Sequence, residues 1–139
     1  MHPRTPTEYA LRDCIDGELD IPIVASRFRA WAQRSGASTI DIARITTAAI
    51  ELTTNVVKYA QRGELYGRLL ETPRQRAIEL IVEDRGPGIA DVAQAIGERF
   101  STGGTLGLGL PGVRRLMDEF EITSQLGRGT VVRALKRIE

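Results

Sequence analysis

Apolar residues recur along this chain with two periods, and the period changes mark its elements. From Thr39 to about Tyr59 or Ala60 the apolar positions are Ile42, Ile45, Ala49, Leu52, Val56 and Tyr59. Steps of three and four put them on one stripe of an α-helix. Ser38-Thr39-Ile40-Asp41 precedes the stripe with the spacing of a capping box, Asp standing where Glu or Gln is usual. A second helix is predicted from Ile21 to Ser35 on Val24, Phe28, Trp31 and Ala32, stopped by Gly36. Trp31 reads as a packing residue of that helix. A third helix is predicted from Leu110 to Phe120, burying Leu110, Val113, Leu116, Met117 and Phe120, with Pro111 near its first turn where Pro is tolerated.

Period two appears elsewhere. Arg76 to Glu83 alternates, so that Ile78, Leu80 and Val82 share a wholly apolar face. Glu64 to Leu70 reads as its partner across Thr72-Pro73-Arg74, and Tyr9 to Ile15 as a further strand. Glu121 to Ser124 and Gly129 to Ile138 form a terminal hairpin turning at Leu126-Gly127-Arg128-Gly129. Asp91 to Glu98 is expected as a short helix and Phe100 to Gly109 as a flexible loop. The mixture predicts one α/β sandwich over residues 1–139, a mixed, mainly antiparallel sheet with helices on one face, residues 1–8 being a loose terminus.

Composition narrows the classes. Nineteen basic against 18 acidic residues leave a net charge of +1, against a nucleic-acid binder by charge alone. One cysteine, Cys14, excludes an internal disulfide and a Cys-based zinc cluster, and reads as a small buried apolar group rather than a nucleophile. The longest uncharged run, Phe100 to Val113, is too short and Gly-rich to span a bilayer, and the N-terminus lacks an apolar leader core. A cytoplasmic protein without a membrane segment is expected. Ten of the 14 glycines fall between Gly86 and Gly129, marking that half as where backbone closely approaches something.

Four local patterns can carry chemistry. At about 100° per residue, Glu51, Asn55, Lys58 and Arg62 form a polar stripe beside the apolar one. Such a stripe suits a metal-bound phosphate, Asn offering a neutral oxygen to Mg²⁺, the cations offsetting charge and Glu taking a proton. Taken alone, the helix better suits a solvated face with salt bridges. Next, the apolar strand runs into Glu83-Asp84-Arg85-Gly86-Pro87-Gly88, where a carboxylate can accept from an exocyclic amine and glycines admit a base or ribose. Third, Gly107-Leu108-Gly109-Leu110-Pro111-Gly112 opens a helix with free N–H groups suited to an anion, without Rossmann or P-loop spacing. Last is Gly127-Arg128-Gly129-Thr130, which alone could be only a turn.

In this order the four resemble the N box and the three glycine motifs of the ATP-binding superfamily shared by gyrase, Hsp90, histidine kinases and MutL. The resemblance covers about Thr39 to Ile138. Gyrase, Hsp90 and MutL carry further domains, and a sensor kinase needs a phosphoacceptor histidine, whereas the one histidine here is His2. Glu51-Leu52-Thr53-Thr54-Asn55, Phe100-Ser101-Thr102 and the run from Gly109 to Phe120 resemble RsbT-type stressosome switch kinases, with the anti-sigma kinases as the alternative.

The resemblance implies a Bergerat-type fold and a serine/threonine protein kinase using ATP and Mg²⁺. Its implied substrate is a STAS-domain antagonist, and its second partner a PP2C-type phosphatase activated by the released kinase. It implies Asn55 as metal ligand, Glu51 as general base and Asp84 as acceptor from the adenine amino group. Gly86 and Gly88 would admit the nucleotide; Gly107, Gly109 and Gly112 would form the lid and helix entry; Thr130 would lie near adenine. Lys58 is a looser match to a phosphate-contacting cation. Thr105 and Leu106 stand where anti-sigma kinases tend to carry an arginine, for which Arg99 is a candidate substitute. A plain ATPase and a non-catalytic binding module remain as rivals, the latter disfavoured by the presence of Glu51, Asn55 and Asp84.

Overall fold

Ser38 accepts the Asp41 amide on its hydroxyl at 3.1 Å, and this cap opens the longest helix of the computed structural model, which describes residues 10–89 and 109–138. The helix, α2, runs Thr39–Tyr59 and buries Ile42, Ile45, Ala49, Leu52 and Val56, the predicted stripe. Tyr59, the last member of that stripe, is 47% exposed and does not join the core. The helix end is set by Gln61 at φ 72, with the Ala60 and Gln61 amides both bonded to the Val56 carbonyl. The chain therefore leaves the helix before Arg62, which does not join the polar stripe and lies 3.8 Å from Asp16 instead.

Before α2 come strand β1, Leu11–Ile15, and helix α1, Asp20–Gln33. Cys14 is exposed on β1 between buried Asp13 and Ile15, which overturns the expectation of a buried thiol. Val24, Phe28 and Ala32 step by four and are buried, while Trp31 lies over Gly67, where an added Cβ would sit 2.8 Å from the indole ring. Gly36, at φ +80, follows the helix end as expected. After α2, strands β2, Gly63–Glu71, and β3, Arg76–Asp84, form a hairpin closed by reciprocal Thr72 and Gln75 backbone bonds. Helix α3, Gly109–Leu116, leads to β4, Glu119–Gln125, and β5, Gly129–Ile138.

The predicted third helix is too long at its C-terminal end. The Asp118 amide donates to the Leu135 carbonyl at 2.9 Å, and its carboxylate accepts the Arg137 amide at 2.7 Å. These bonds turn the chain into the sheet, so Phe120 reaches the core from a strand. The expected short helix at Asp91–Glu98, most of the loop at Phe100–Gly109, and Arg99 lie outside the described residues.

The five strands are ordered β1-β2-β3-β5-β4, and every described pairing is antiparallel. All three described helices lie on one face. There Ile15, Leu65, Ile78, Leu80, Val82, Val132 and Ala134 meet Phe28, Ile45, Leu52 and Val113 in one core. Burying each of these side chains larger than alanine is worth about 1.5–3 kcal/mol. The other face carries ion pairs, with Glu79 2% exposed and held by Arg68 at 2.9 Å and Arg133 at 2.6 Å. Among the described residues, no helix is long and apolar enough to cross a membrane.

Candidate functional site

Strand register places one row of residues across the end of the sheet. Ile15 opposes Gly63, Gly63 opposes Asp84, Asp84 opposes Thr130, and Thr130 opposes Ser124. Because side chains alternate along a strand, this row shares its face with Leu65, Val82, Val132 and Ile122, the side on which the helices pack. Asp84 is thus the polar end of the apolar β3 face.

Its surroundings are made by close approach. A Cβ at Gly63 would lie 2.8 Å from Val56 of α2 and 2.4 Å from the Glu83 carbonyl, so only glycine lets β2 pass beneath the helix there. A Cβ at Gly86 would lie 2.5 Å from that of Ala60, so the turn after β3 rests directly on the end of α2. Asp84 Oδ1 accepts the Gly86 amide at 2.8 Å. Burial pushes the Asp84 carboxyl above the ordinary range, against the opposing pull of the Gly86 and Thr130 amides. A half-buried carboxylate kept at that cost makes Asp84 a candidate binding residue.

The turn is fastened on its far side as well. Gly88, at φ +78, passes so close to Gln125 that a Cβ would come within 2.2 Å of its carbonyl oxygen. The Gly127 amide donates to the Pro87 carbonyl at 2.8 Å, and the Ile89 amide donates to Ser124 Oγ at 2.7 Å. The second and fourth sequence motifs, some forty residues apart in sequence, are therefore a single piece of structure.

On α2, Glu51 and Asn55 lie one turn apart, both half-buried. Glu51 Oε2 accepts the Gly109 amide at 3.4 Å, so its carboxylate faces the positive end of α3. Gly109 begins α3 at φ +63, and Gly112 is buried within it. Lys58 is exposed, its Nζ 5.1 Å from the Tyr59 ring centroid. Gly107 lies outside the described residues.

The structure thus brings together Asp84, Gly86, Gly88 and Thr130, and separately Glu51 with Gly109. Sequence reasoning missed Gly63, Ala60 and Ser124. Gly63 and Ala60 matter only for the space they leave, and Ser124 only through register, so no local pattern signals them.

A Mg²⁺ ion fits this donor set. Among the described residues no cluster of three acidic, histidine or cysteine side chains exists to chelate a metal alone. Asn55 offers a neutral oxygen, in keeping with the sparse protein share of a Mg²⁺ held mainly by phosphate and water.

Comparison with known proteins agrees with this geometry. Residues 18–136 match the model of the histidine kinase-like ATPase domain. The chain is 42% identical over 127 residues to the serine/threonine-protein kinase RsbT of Bacillus subtilis, covering 90% of this chain and 96% of that one. It is 36% identical over 104 residues to an anti-sigma F factor of Caldanaerobacter subterraneus, covering 70% of this chain and 71% of that one. Among solved structures, the RsbU and RsbW domains of a Mycobacterium tuberculosis protein superpose with a TM-score of 0.68 at 22% identity, over 97% of this chain and 34% of that longer one. The mycobacterial sensor histidine kinase MprB superposes at 0.54 and 17% identity, over 93% of this chain and 99% of that one. These two likenesses are of fold.

Proposed function

The chain belongs to the histidine kinase-like ATPase domain family, and on that premise we propose that it is a serine/threonine protein kinase of a partner-switching module. It transfers the γ-phosphoryl group of ATP to a Ser or Thr hydroxyl of a small STAS-domain antagonist in the cytoplasm. The observation that carries the nucleotide part is the row Gly63–Asp84–Thr130 lying under α2, with Gly86 and Gly88 fastening the turn beside it. The likeness to RsbT along nearly its whole length supports the choice of acceptor.

The roles are those the family resemblance implies, and the placement of the described residues supports them. Asp84 accepts from the adenine amino group, and Thr130 borders the same base. Gly86 and Gly88 hold the turn beside which the nucleotide lies, although the space their missing side chains leave is taken by Ala60 and Gln125 rather than by a ligand. The amides at the start of α3, with Gly109 and Gly112, face the phosphates, and Gly107 is assigned to the same motif by the resemblance alone. Lys58 adds positive charge at the rim. Asn55 would hold Mg²⁺, which when bound supplies charge neutralisation at the phosphates. Glu51, one turn before Asn55, orients the incoming hydroxyl and takes its proton. Phosphoryl transfer asks for positioning and charge balance rather than covalent help, and this site offers both.

Phosphorylation adds about −1.5 to −2 charge to the partner. That charge breaks the complex and frees the kinase for a second partner, a PP2C-type phosphatase that it activates. The likeness to anti-sigma F factors supports a second reading, in which the chain binds and inhibits a sigma factor.

The test is transfer of labelled phosphate from ATP to purified STAS-domain and sigma-factor candidates, with mass spectrometry of the labelled residue. Glu51→Gln should keep ATP binding and lower transfer by about 10²–10⁴-fold. Transfer by that variant at the wild-type rate would remove Glu51 from the base role. Release of phosphate to water at an equal rate with and without partner would favour a plain ATPase.

A further inference from the structure

Three groups meet at the hydroxyl of Ser124. The Ile89 amide donates to Oγ at 2.7 Å, the Gly129 carbonyl oxygen lies at 3.0 Å, and Thr130 Oγ1 lies at 2.8 Å. A serine hydroxyl has one proton and two acceptor positions. The Ile89 N–H takes one acceptor position. The Gly129 carbonyl can only accept, so that contact takes the proton. One acceptor position remains, and Thr130 meets it by donating. This is the assignment that satisfies all three neighbours of a half-buried group.

We infer that Ser124 fixes the polarity of Thr130: the threonine proton is committed to Ser124, and Thr130 Oγ1 presents only lone pairs to the nucleotide base. The inference rests on the proposed ATP site. Asp84 stands directly across the ladder from Thr130, and as a carboxylate it too can only accept. Two acceptors side by side call for a donor. The 6-amino group of adenine carries two N–H bonds and fits. At the 6-position a 6-keto purine places lone pairs against lone pairs, its one new donor sitting instead on the adjoining N1, and it is disfavoured because buried polar groups are left unpaired. Ser124 touches no nucleotide in this account. It is a positioning residue that sets base specificity through Thr130, and its place at the Ile89 amide ties that specificity to the turn after β3.

The experiment compares ATP with inosine triphosphate, which differs only at the 6-position and the adjoining N1 proton, by calorimetry on wild type and variants. Ser124→Ala removes the acceptor for Thr130 and frees its proton to turn toward a keto oxygen. The ratio of ATP to inosine triphosphate affinity should fall by about five- to tenfold. Ser124→Thr restores a hydroxyl at the same place and should keep the wild-type ratio. Parallel loss of both affinities in Ser124→Ala, with the ratio unchanged, would show a merely structural serine and overturn the inference. If Ser124→Ala does not fold, Thr130→Val gives the second reading: its ratio should fall by a similar factor, and an unchanged ratio overturns the inference. Wild-type protein that binds neither nucleotide would defeat the ATP site itself, a distinct result.

Discussion

Asp84→Asn separates what the site costs the fold from what it gives to binding. The carboxylate is half-buried, accepts the Gly86 amide at 2.8 Å and is also bonded by the Thr130 amide. Asparagine is nearly the same shape but offers one acceptor oxygen and one donor amide. If the oxygen stays with Gly86, the remaining edge presents N–H groups to an adenine amino group, donor against donor. The loss of a hydrogen bond to a charged acceptor is worth about 1.5–3 kcal/mol, a factor of about 10–150 in Kd for ATP and ADP alike.

Stability should move differently. Burial raises the carboxyl pKa in the folded protein above its unfolded value of about 3.9. Above that value the folded state binds more protons than the unfolded state, so stability falls as pH rises. The contribution of Asp84 is fully present below about pH 3.9 and is lost as pH rises through the raised folded pKa. Asparagine does not titrate. The difference in unfolding free energy, variant minus wild type, should therefore shift in favour of the variant between pH 4 and neutrality. Calorimetric titration with ATP and ADP, together with urea unfolding at several pH values, reads both quantities. A folded variant with unchanged nucleotide affinity would refute the adenine role. A stability difference that stays constant with pH would refute the burial argument.

Three further predictions follow from named contacts. Gly86→Ala puts a Cβ 2.5 Å from that of Ala60, so urea unfolding should show a loss of about 1–3 kcal/mol, with weaker ATP binding as the turn shifts off α2. Gln61→Gly relieves a left-handed backbone at φ 72 and should raise stability by about 0.5–1 kcal/mol in the same assay while leaving the Kd for ATP unchanged. Asn55→Ala should remove the enhancement of ATP binding by Mg²⁺; titrations with and without the ion that still differ as in wild type would unseat it as a metal ligand.

The elements were legible where one face is apolar and the cap is local. Ser38 and the stripe from Ile42 to Val56 specify α2 without reference to the rest of the chain, and the Ile78–Leu80–Val82 alternation specifies β3. The errors fell where a distant contact decides. Arg62 continues the helical stripe in sequence, yet Gln61 turns the backbone away so that β2 can reach β3. Leu110 to Phe120 keeps helical spacing throughout, yet Asp118 is bonded to β5 and draws Glu119 and Phe120 into β4. The site followed the same division. Asp84, Gly86 and Gly88 were legible because a strand, a carboxylate and a glycine turn are contiguous. Ser124 and Gly63 were not, because each owes its importance to a neighbour that only sheet register supplies.

That division bears on how the site is held. Three glycines do the fastening, and none needs a side chain to do it: Gly63 under Val56, Gly86 against Ala60, and Gly88 against Gln125. Each is a point where two backbones, or a backbone and a helix, approach closer than any Cβ would allow. The β3 turn is thereby pinned on one side to the helix that carries Glu51 and Asn55, and on the other to the hairpin that carries Thr130. The carboxylate read as meeting the base and the residues read as meeting the phosphates thus belong to one packed unit rather than to loops that must find each other. Interiors at this density do not deform continuously. A displacement of the turn by a bound base would be felt at Ala60, the end of α2, and along that helix at Asn55 and Glu51. The contact of Glu51 with the Gly109 amide extends the chain of contacts to α3. The proposed base, metal and phosphate roles should therefore be separable by mutation of side chains, but not by mutation of the glycines, which should lower affinity for adenine and for the triphosphate together.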